Sequence, residues 1–193
     1  MKPPECAQCP LLYARGPVFS EGPLDAKLVF VGEAPGPDEC TYGTPFYKYA
    51  AAGSVFQIAL SAAGIARGTV YVTNTVKCMP YVGENKNRFR KPTRAEVAFC
   101  AKRFLYKELL EMKPNIVVAL GDTALNALIL DGKKRPVTKW RGVIVETEDA
   151  LYDVLRREDR FKAISDCLKR DDGGGRRGGS EAEGPQVAAK TLP

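Results

Sequence analysis

The residues able to do chemistry in this chain are defined by one absence and one repetition. Among 193 residues there is no histidine and there are six cysteines: Cys6, Cys9, Cys40, Cys78, Cys100 and Cys167. Without histidine, imidazole acid–base chemistry and every His-ligated metal site are excluded. Cys6 and Cys9 are separated by two residues in CAQCPL, a Pro-containing stretch with no strand before it. A thioredoxin-like couple would sit between a strand and a helix, so this pair reads as metal ligands. A further 68 residues separate Cys9 from Cys78, and 21 separate Cys78 from Cys100. Four thiolates with no other ligand type suit zinc or a [4Fe–4S] cluster, and the spacing does not distinguish them. Cys40 reads as a buried apolar thiol or an incidental surface one, and Cys167 as a core residue.

Two loops carry the remaining candidates. The first places Glu33 directly after an apolar run, followed by Pro35, Gly36, Asp38 and Glu39. It lacks both Gly-Lys-Ser/Thr and G-x-G-x-x-G, so it is not a nucleotide phosphate loop. Its carboxylates would repel phosphate. They suit activation of water or recognition of N–H donors, with a solvated acidic turn as the plain alternative. The second loop begins at Asn74, whose amide offers a donor and an acceptor in one plane, matching the edge of an amide or a pyrimidine. An asparagine can also simply end a strand. Lys77, Lys86, Arg88, Arg90 and Lys91 follow, and each is a candidate phosphate contact or a solvated side chain.

The elements that must position these residues alternate. AKLVFVG (Ala26–Gly32), TVYVTN (Thr69–Asn74) and PNIVVAL (Pro114–Leu120) read as strands, with a brief one at Val143–Val145. Helices are expected over Ser54–Ala63, closed by Gly64, and from Thr93 to about Met112, with Thr93 and Glu96 forming a capping box. Asp122 is expected to cap a short helix to about Leu130, and Asp159–Leu168 to form the last one. Strands separated by helices imply a parallel sheet covered on both faces, with the ligand site at the carboxyl ends of the strands.

Composition sets the outer limits. Hydrophobic residues make up 45% and charged residues 27%, which excludes a largely disordered chain. No apolar run reaches membrane-span length and no signal peptide is evident, so a cytoplasmic, monomeric protein without a membrane partner is expected. The formal charge of +6 permits a polyanionic partner without requiring one. From residue 170 the Gly-rich, apolar-poor sequence reads as a disordered tail over 170–193.

Taken in order, CAQC, VGEAPGPDE with GTPF, VTNTVKCMP, NR followed by KPTRAEVAFC, VVALG and WRG resemble the iron–sulfur uracil-DNA glycosylases, family 4 of the uracil-DNA glycosylase superfamily. The likeness runs from about Glu5 to Arg170, so residues 1–169 are expected to form one glycosylase-like domain. The resemblance implies a three-layer α/β/α fold around a four-stranded parallel sheet. It implies a [4Fe–4S] cluster held by Cys6, Cys9, Cys78 and Cys100, and hydrolysis of the uracil–deoxyribose bond in single- or double-stranded DNA. Matched residue by residue, Phe46 would stack on the flipped base and Asn74 would read its edge. Glu33 and Glu39 fall at acidic positions of the water-handling motif. The backbone of Ala34, Pro35 and Gly36 would line the pocket, and Lys77, Arg88 and Arg90 would contact DNA.

The pattern departs in two places. The family's His-Pro-Ala/Ser motif, whose histidine donates to a uracil oxygen, is absent, and Ala150-Leu151 stand at its place. Losing such a donor costs about 100–1,000-fold in rate, so weakened catalysis is expected, with a noncatalytic nucleic-acid-binding relative as the alternative. Lys48 also stands two residues after Phe46, where the family has glycine.

Overall fold

The structure, a computed structural model, describes residues 2–82, 88–129, 134–146 and 188–191. Its centre is a parallel sheet of β1 (Leu28–Gly32), β2 (Tyr71–Asn74) and β5 (Ile116–Ala119), in the order β2-β1-β5. The central strand is apolar on both faces, as expected for a strand sandwiched between helices. Val29 and Val31 face one core with Ala101, Leu105, Tyr106, Leu109 and Ala124. Phe30 faces the other, with Phe56, Leu60, Val70 and Val72. Each fully buried valine contributes roughly 1.5–3 kcal/mol.

Between β1 and β2 lie α1 (Pro37–Tyr42) and α2 (Ala51–Ala62). The Gly/Pro-rich first loop therefore contains a helical turn, begun at Pro37 and ended at Gly43 in the left-handed region (φ 69°). The second helix starts three residues before the expected Ser54 and ends as expected around Gly64. The loop after β2 holds a small hairpin, β3 (Tyr81–Val82) with β4 (Arg88–Phe89).

The long helix expected from Thr93 is two helices, α3 (Arg94–Arg103) and α4 (Leu105–Met112). Thr93 and Glu96 do form the capping box: the Thr93 hydroxyl accepts from the Glu96 amide at 3.3 Å, and the Glu96 carboxylate accepts from the Thr93 amide at 2.7 Å. The break falls at Phe104 (φ −125°, ψ −70°). Its ring lies 6.2 Å from that of Phe19 and packs beside the cysteines, while Leu105, Tyr106, Leu109 and Met112 turn to the sheet. Cys100 and Val97 of α3 pack with the cysteine cluster while Ala101 already joins the sheet core, and the break turns α4 wholly onto the sheet.

After β5, α5 (Asp122–Leu128) is capped by Gly121, with Asp122 already in its first turn. The Asp122 carboxylate instead accepts from the Val137 amide at 2.6 Å, at the start of α6 (Val137–Trp140). The strand expected at Val143–Val145 forms as β6 (Val143–Glu146), but it does not join the parallel sheet. It pairs antiparallel with β7 (Ala188–Thr191), from the stretch expected to be disordered. VAAKTL is the least polar part of that tail and can supply an edge strand. The expected helix Asp159–Leu168, Ala150, Lys86 and Cys167 lie outside the described residues.

Candidate functional site

Two loops leave the carboxyl ends of β1 and β2 side by side, because Gly32 and Asn74 are register partners. Backbone and hydroxyl bonds stitch them together. The Thr75 amide and hydroxyl both donate to the Gly32 carbonyl at 2.8 Å, and the Val76 amide donates to the Glu33 carbonyl at 3.0 Å.

Gly32 permits the site to close. A Cβ built there would lie 2.3 Å from Asn74 Oδ1 and 2.7 Å from two carbons of the Phe46 ring. Only glycine lets the amide and the ring approach the same strand end. In the sequence alone, Gly32 reads as no more than the end of a strand. Its role depends on two neighbours from other segments.

Phe46 is held in the left-handed region (φ 51°), an uncommon conformation for an aromatic residue. Its amide donates to Glu39 Oε1, and the carbonyl of the preceding Pro45 accepts from Arg67 at 3.3 Å. Its ring packs 4.9 Å from that of Phe56. Behind it, Gly53 of α2 admits the loop: a Cβ there would meet the Tyr47 carbonyl at 1.9 Å. Such strain persists where the surroundings over-determine it, which is common at ligand sites.

Asn74 is 2% exposed, and its amide nitrogen has no hydrogen-bond partner among the described residues. A buried orphan donor costs roughly 1–3 kcal/mol, so it marks a place where a ligand acceptor belongs.

The two carboxylates divide. Glu33 is half-buried at the strand end, and one oxygen accepts from Thr123 Oγ1 on α5. Its other oxygen has no protein hydrogen bond among the described residues, which leaves it able to orient water. Glu39 is buried, and both its oxygens are occupied by backbone amides, from Gly36 at 2.6 Å and from Phe46. Its position makes it a brace for the loop rather than a water-handling group. Pro35 is fully buried, and Ala34 packs against the cysteine cluster, so this wall of the site rests on the cysteines.

Burial corrects one of the three expected DNA contacts, and a second has its charge engaged within the protein. Lys77 is 1% exposed. Its ammonium pairs with Glu108 Oε1 at 2.9 Å and Oε2 at 3.0 Å, and bonds the hydroxyls of Ser20 at 3.2 Å and of Thr73. A phosphate cannot reach it. Arg90 grips Glu96 through two bonds of 2.7 and 2.6 Å and the Tyr81 carbonyl at 3.0 Å. Burial alone would raise the Glu96 carboxyl, but the Arg90 and Thr93 bonds outweigh it and hold the carboxyl below its ordinary range. Arg88 is exposed on β4 and remains available to a polyanion.

Cys9, Cys78 and Cys100 pack into one cluster with Leu11, Ala14 and Val76. Burial, and then the neighbouring Cys9, pushes the Cys6 thiol up. Burial also raises Cys78, and the Cys100 thiol is pushed up to about 12. Two backbone amides already point at sulfur: Leu11 to Cys9 Sγ at 3.4 Å and Lys77 to Cys100 Sγ at 3.3 Å. The Lys2 ammonium bonds the Leu11 carbonyl and acts on Cys78, placing a cation against the sulfurs. This donor set fits a group that takes four thiolates. Among the described residues, however, no three Cys, Asp or Glu side chains converge on one point in the way a metal ion requires.

A shallow groove at the opposite, amino-terminal end of the sheet is lined by Leu28, Gly64 and Val70, and no candidate residue reaches it. No helix among the described residues is long and apolar enough to cross a membrane.

Residues 19–164 match the uracil DNA glycosylase superfamily. The chain is similar to the type-4 uracil-DNA glycosylase of Thermotoga maritima, 42% identical over 139 residues, covering 72% of this chain and 67% of that protein. It is similar to the protein of the same name from Pyrobaculum aerophilum, 38% identical over 125 residues, covering 64% of this chain and 59% of that protein. It is also similar to that of Archaeoglobus fulgidus, 34% identical over 146 residues, covering 74% of this chain and 69% of that protein.

Proposed function

The chain belongs to the uracil-DNA glycosylase superfamily, and from that premise we propose that it excises uracil from DNA by hydrolysing the bond between the base and deoxyribose. The observation that supports this most directly is the orphan amide of buried Asn74, set beside the Phe46 ring over Gly32. An aromatic face next to a planar donor–acceptor edge suits a flipped pyrimidine. Asn74 Nδ2 would donate to a uracil carbonyl and Oδ1 would accept from its N3–H.

Extruding the base costs a few kcal/mol, and stacking on Phe46 recovers part of that. As the glycosidic bond lengthens, the electron pair leaves with the uracil and the sugar gains oxocarbenium character. The Glu33 carboxylate would stabilise that charge, orient the water that adds to the sugar carbon and take up its proton, which passes in the end to the uracil anion. Glu39 and Arg67 act by holding Phe46 in place. With no histidine in the chain, the Asn74 amide is the described side-chain donor for the departing anion, so turnover is slow while binding is retained. The presence of Glu33, Phe46 and Asn74 together favours chemistry over mere binding.

We read Cys6, Cys9, Cys78 and Cys100 as the ligands of a [4Fe–4S] cluster, within the four-stranded, three-layer fold that the resemblance implies for residues 1–169. When bound, the cluster would supply thiolate–iron bonds that tie the N-terminal segment to α3 and to the loop after β2. DNA is the partner, and a cytoplasmic monomer is the expected form.

The experiment is single-turnover release of uracil from single- and double-stranded oligonucleotides by anaerobically purified chain, with iron measured on the same preparation. Slow but DNA-dependent release from a brown, iron-containing protein is expected. Absence of release at any enzyme excess would overturn the reading. Release as fast as that of histidine-containing relatives would overturn the claim of impaired catalysis.

A further inference from the structure

The loop carrying Phe46 continues into a group of side chains that the glycosylase reading does not use. Tyr47 stacks on Tyr42 of α1, with ring centroids 4.1 Å apart and planes 15° from parallel. Tyr49 meets Tyr47 edge-on at 5.6 Å, and the Lys48 ammonium lies 4.9 Å from the centre of the Tyr49 ring. Tyr42 is 59% exposed and Tyr49 75% exposed. Two exposed tyrosines gathered on a third, half-buried one are unusual unless a flat partner covers them.

The group is also rigid. The Ala50 amide donates to the Tyr47 carbonyl at 2.9 Å, closing a turn over Tyr47–Ala50. The turn is pressed onto Gly53, where no side chain would fit. Tyr47 follows Phe46 directly, so the patch is continuous with the edge of the candidate pocket.

We propose that Tyr42, Tyr47 and Tyr49, with Lys48, form a stacking platform for the unpaired nucleotides that flank the extruded base, making single-stranded DNA the preferred substrate form. This rests on the glycosylase reading for the identity of the base in the pocket, but the platform itself would bind uracil-free strands. Stacking needs an exposed base face, which a duplex hides and a single strand offers. Lys48 supplies the positive charge that a neighbouring phosphate requires. The platform uses ring faces rather than base edges, so it tolerates any sequence.

The test measures the affinity of the full, anaerobically purified chain for three uracil-free DNAs of equal length by fluorescence anisotropy. These are an oligothymidylate, a strand of abasic spacers, and a duplex. The native chain is compared with the Tyr42→Ala/Tyr49→Ala and Tyr42→Phe/Tyr49→Phe variants. The alanine variant is expected to lose about tenfold or more on oligothymidylate, with little change on spacer or duplex. The phenylalanine variant should keep native affinity. An equal loss on all three DNAs, or none, overturns the platform. So does loss of self-association in sedimentation with unchanged DNA affinity, which would assign the patch to a second copy of the chain. Tyrosine-dependent binding without uracil release by the native chain would overturn the glycosylase reading and leave the platform standing.

Discussion

The loop beyond β2 and the strand ends from which it starts treat buried polar groups in opposite ways. Beyond β2, the Lys77 ammonium has two carboxylate oxygens and two hydroxyls around it, and Arg90 closes a fork on Glu96. Both of these charges are answered by the protein itself. At the strand ends one residue away from the same network, the Asn74 amide nitrogen is buried with no partner among the described residues, and Glu33 keeps one oxygen free. Arg67 Nη1 is also buried without a hydrogen bond among the described residues, so an orphan alone does not make a site; the Asn74 amide stands out because it sits beside the Phe46 ring over Gly32, where a group that is not protein could meet both. Charge alone is a poor guide to which residues meet DNA. The more informative signal is which buried groups remain unanswered.

The sharpest way to break this contrast is Lys77→Ala. It leaves the half-buried Glu108 carboxylate without its cation, though still bonded to the Ser20 and Thr73 hydroxyls, and should destabilise the fold by about 3 kcal/mol. Anaerobic thermal melting would show the loss. If Lys77 were instead a phosphate ligand, the melting temperature would hold and DNA affinity would fall. Asn74→Ala should do the reverse. It removes no protein hydrogen bond from the orphan nitrogen, so the melting temperature should stay close to native. Uracil excision should drop by about 100–1,000-fold, the cost of one positioned donor. A large fall in melting temperature with little loss of excision would make Asn74 structural.

The carboxylates sharpen the comparison further. Glu39→Gln weakens two charge-assisted bonds to backbone amides and should cost about 1.5–3 kcal/mol of stability along with activity. Glu33→Gln should lower the excision rate while leaving the melting temperature near native. Matching behaviour of the two variants would erase the distinction between brace and water-handling group. Glu96 gives the pH form of the same argument. Its carboxyl is held below the ordinary range, so the stabilisation from Arg90 is complete above about pH 4.3 and is lost as pH falls through the lowered value. Comparing native chain with Glu96→Gln should show a gap of about 1–2 kcal/mol at pH 6 that narrows below pH 4. A gap that is constant with pH would show that the charge contributes nothing.

Much of this arrangement was legible in the residues, for identifiable reasons. The parallel sheet follows from apolar runs ending in polar loops. The Thr93–Glu96 box is local, and the cysteine spacing and Asn74 at its strand end can be read without any tertiary contact. What could not be read depends on distant partners. Lys77 looks like any loop lysine until Glu108, 31 residues away on α4, is placed beside it. Gly32 and Gly53 matter only once the Phe46 loop has folded onto them. The break at Phe104 has no glycine or proline to announce it, because competition between two cores decides it. Glu39 was the nearer miss: it stands at the third position of a helix begun by Gly36-Pro37, where a carboxylate commonly caps backbone amides.

The smallest expected effect comes from two arginines on one short hairpin. Arg88 and Arg90 are separated by a single residue and are indistinguishable by charge. Arg88 pairs with Val82 across β3–β4 and is exposed, whereas Arg90 bonds Glu96 and the Tyr81 carbonyl. An exposed arginine on a phosphate adds to binding through counterion release rather than through a shaped contact. Its loss should therefore weaken all sequences alike and lower the slope of log affinity against log salt by about one. Arg88→Ala should do this without changing melting temperature or the choice between uracil and cytosine. Arg90→Ala should lower the melting temperature and leave the salt slope where it was, because its charge already has a partner. Titrating both variants against one oligonucleotide at several salt concentrations measures the difference directly. If Arg90 and not Arg88 carried the salt dependence, the Arg90–Glu96 fork would have to open on DNA, and the rule that satisfied groups stay out of binding would fail at this hairpin.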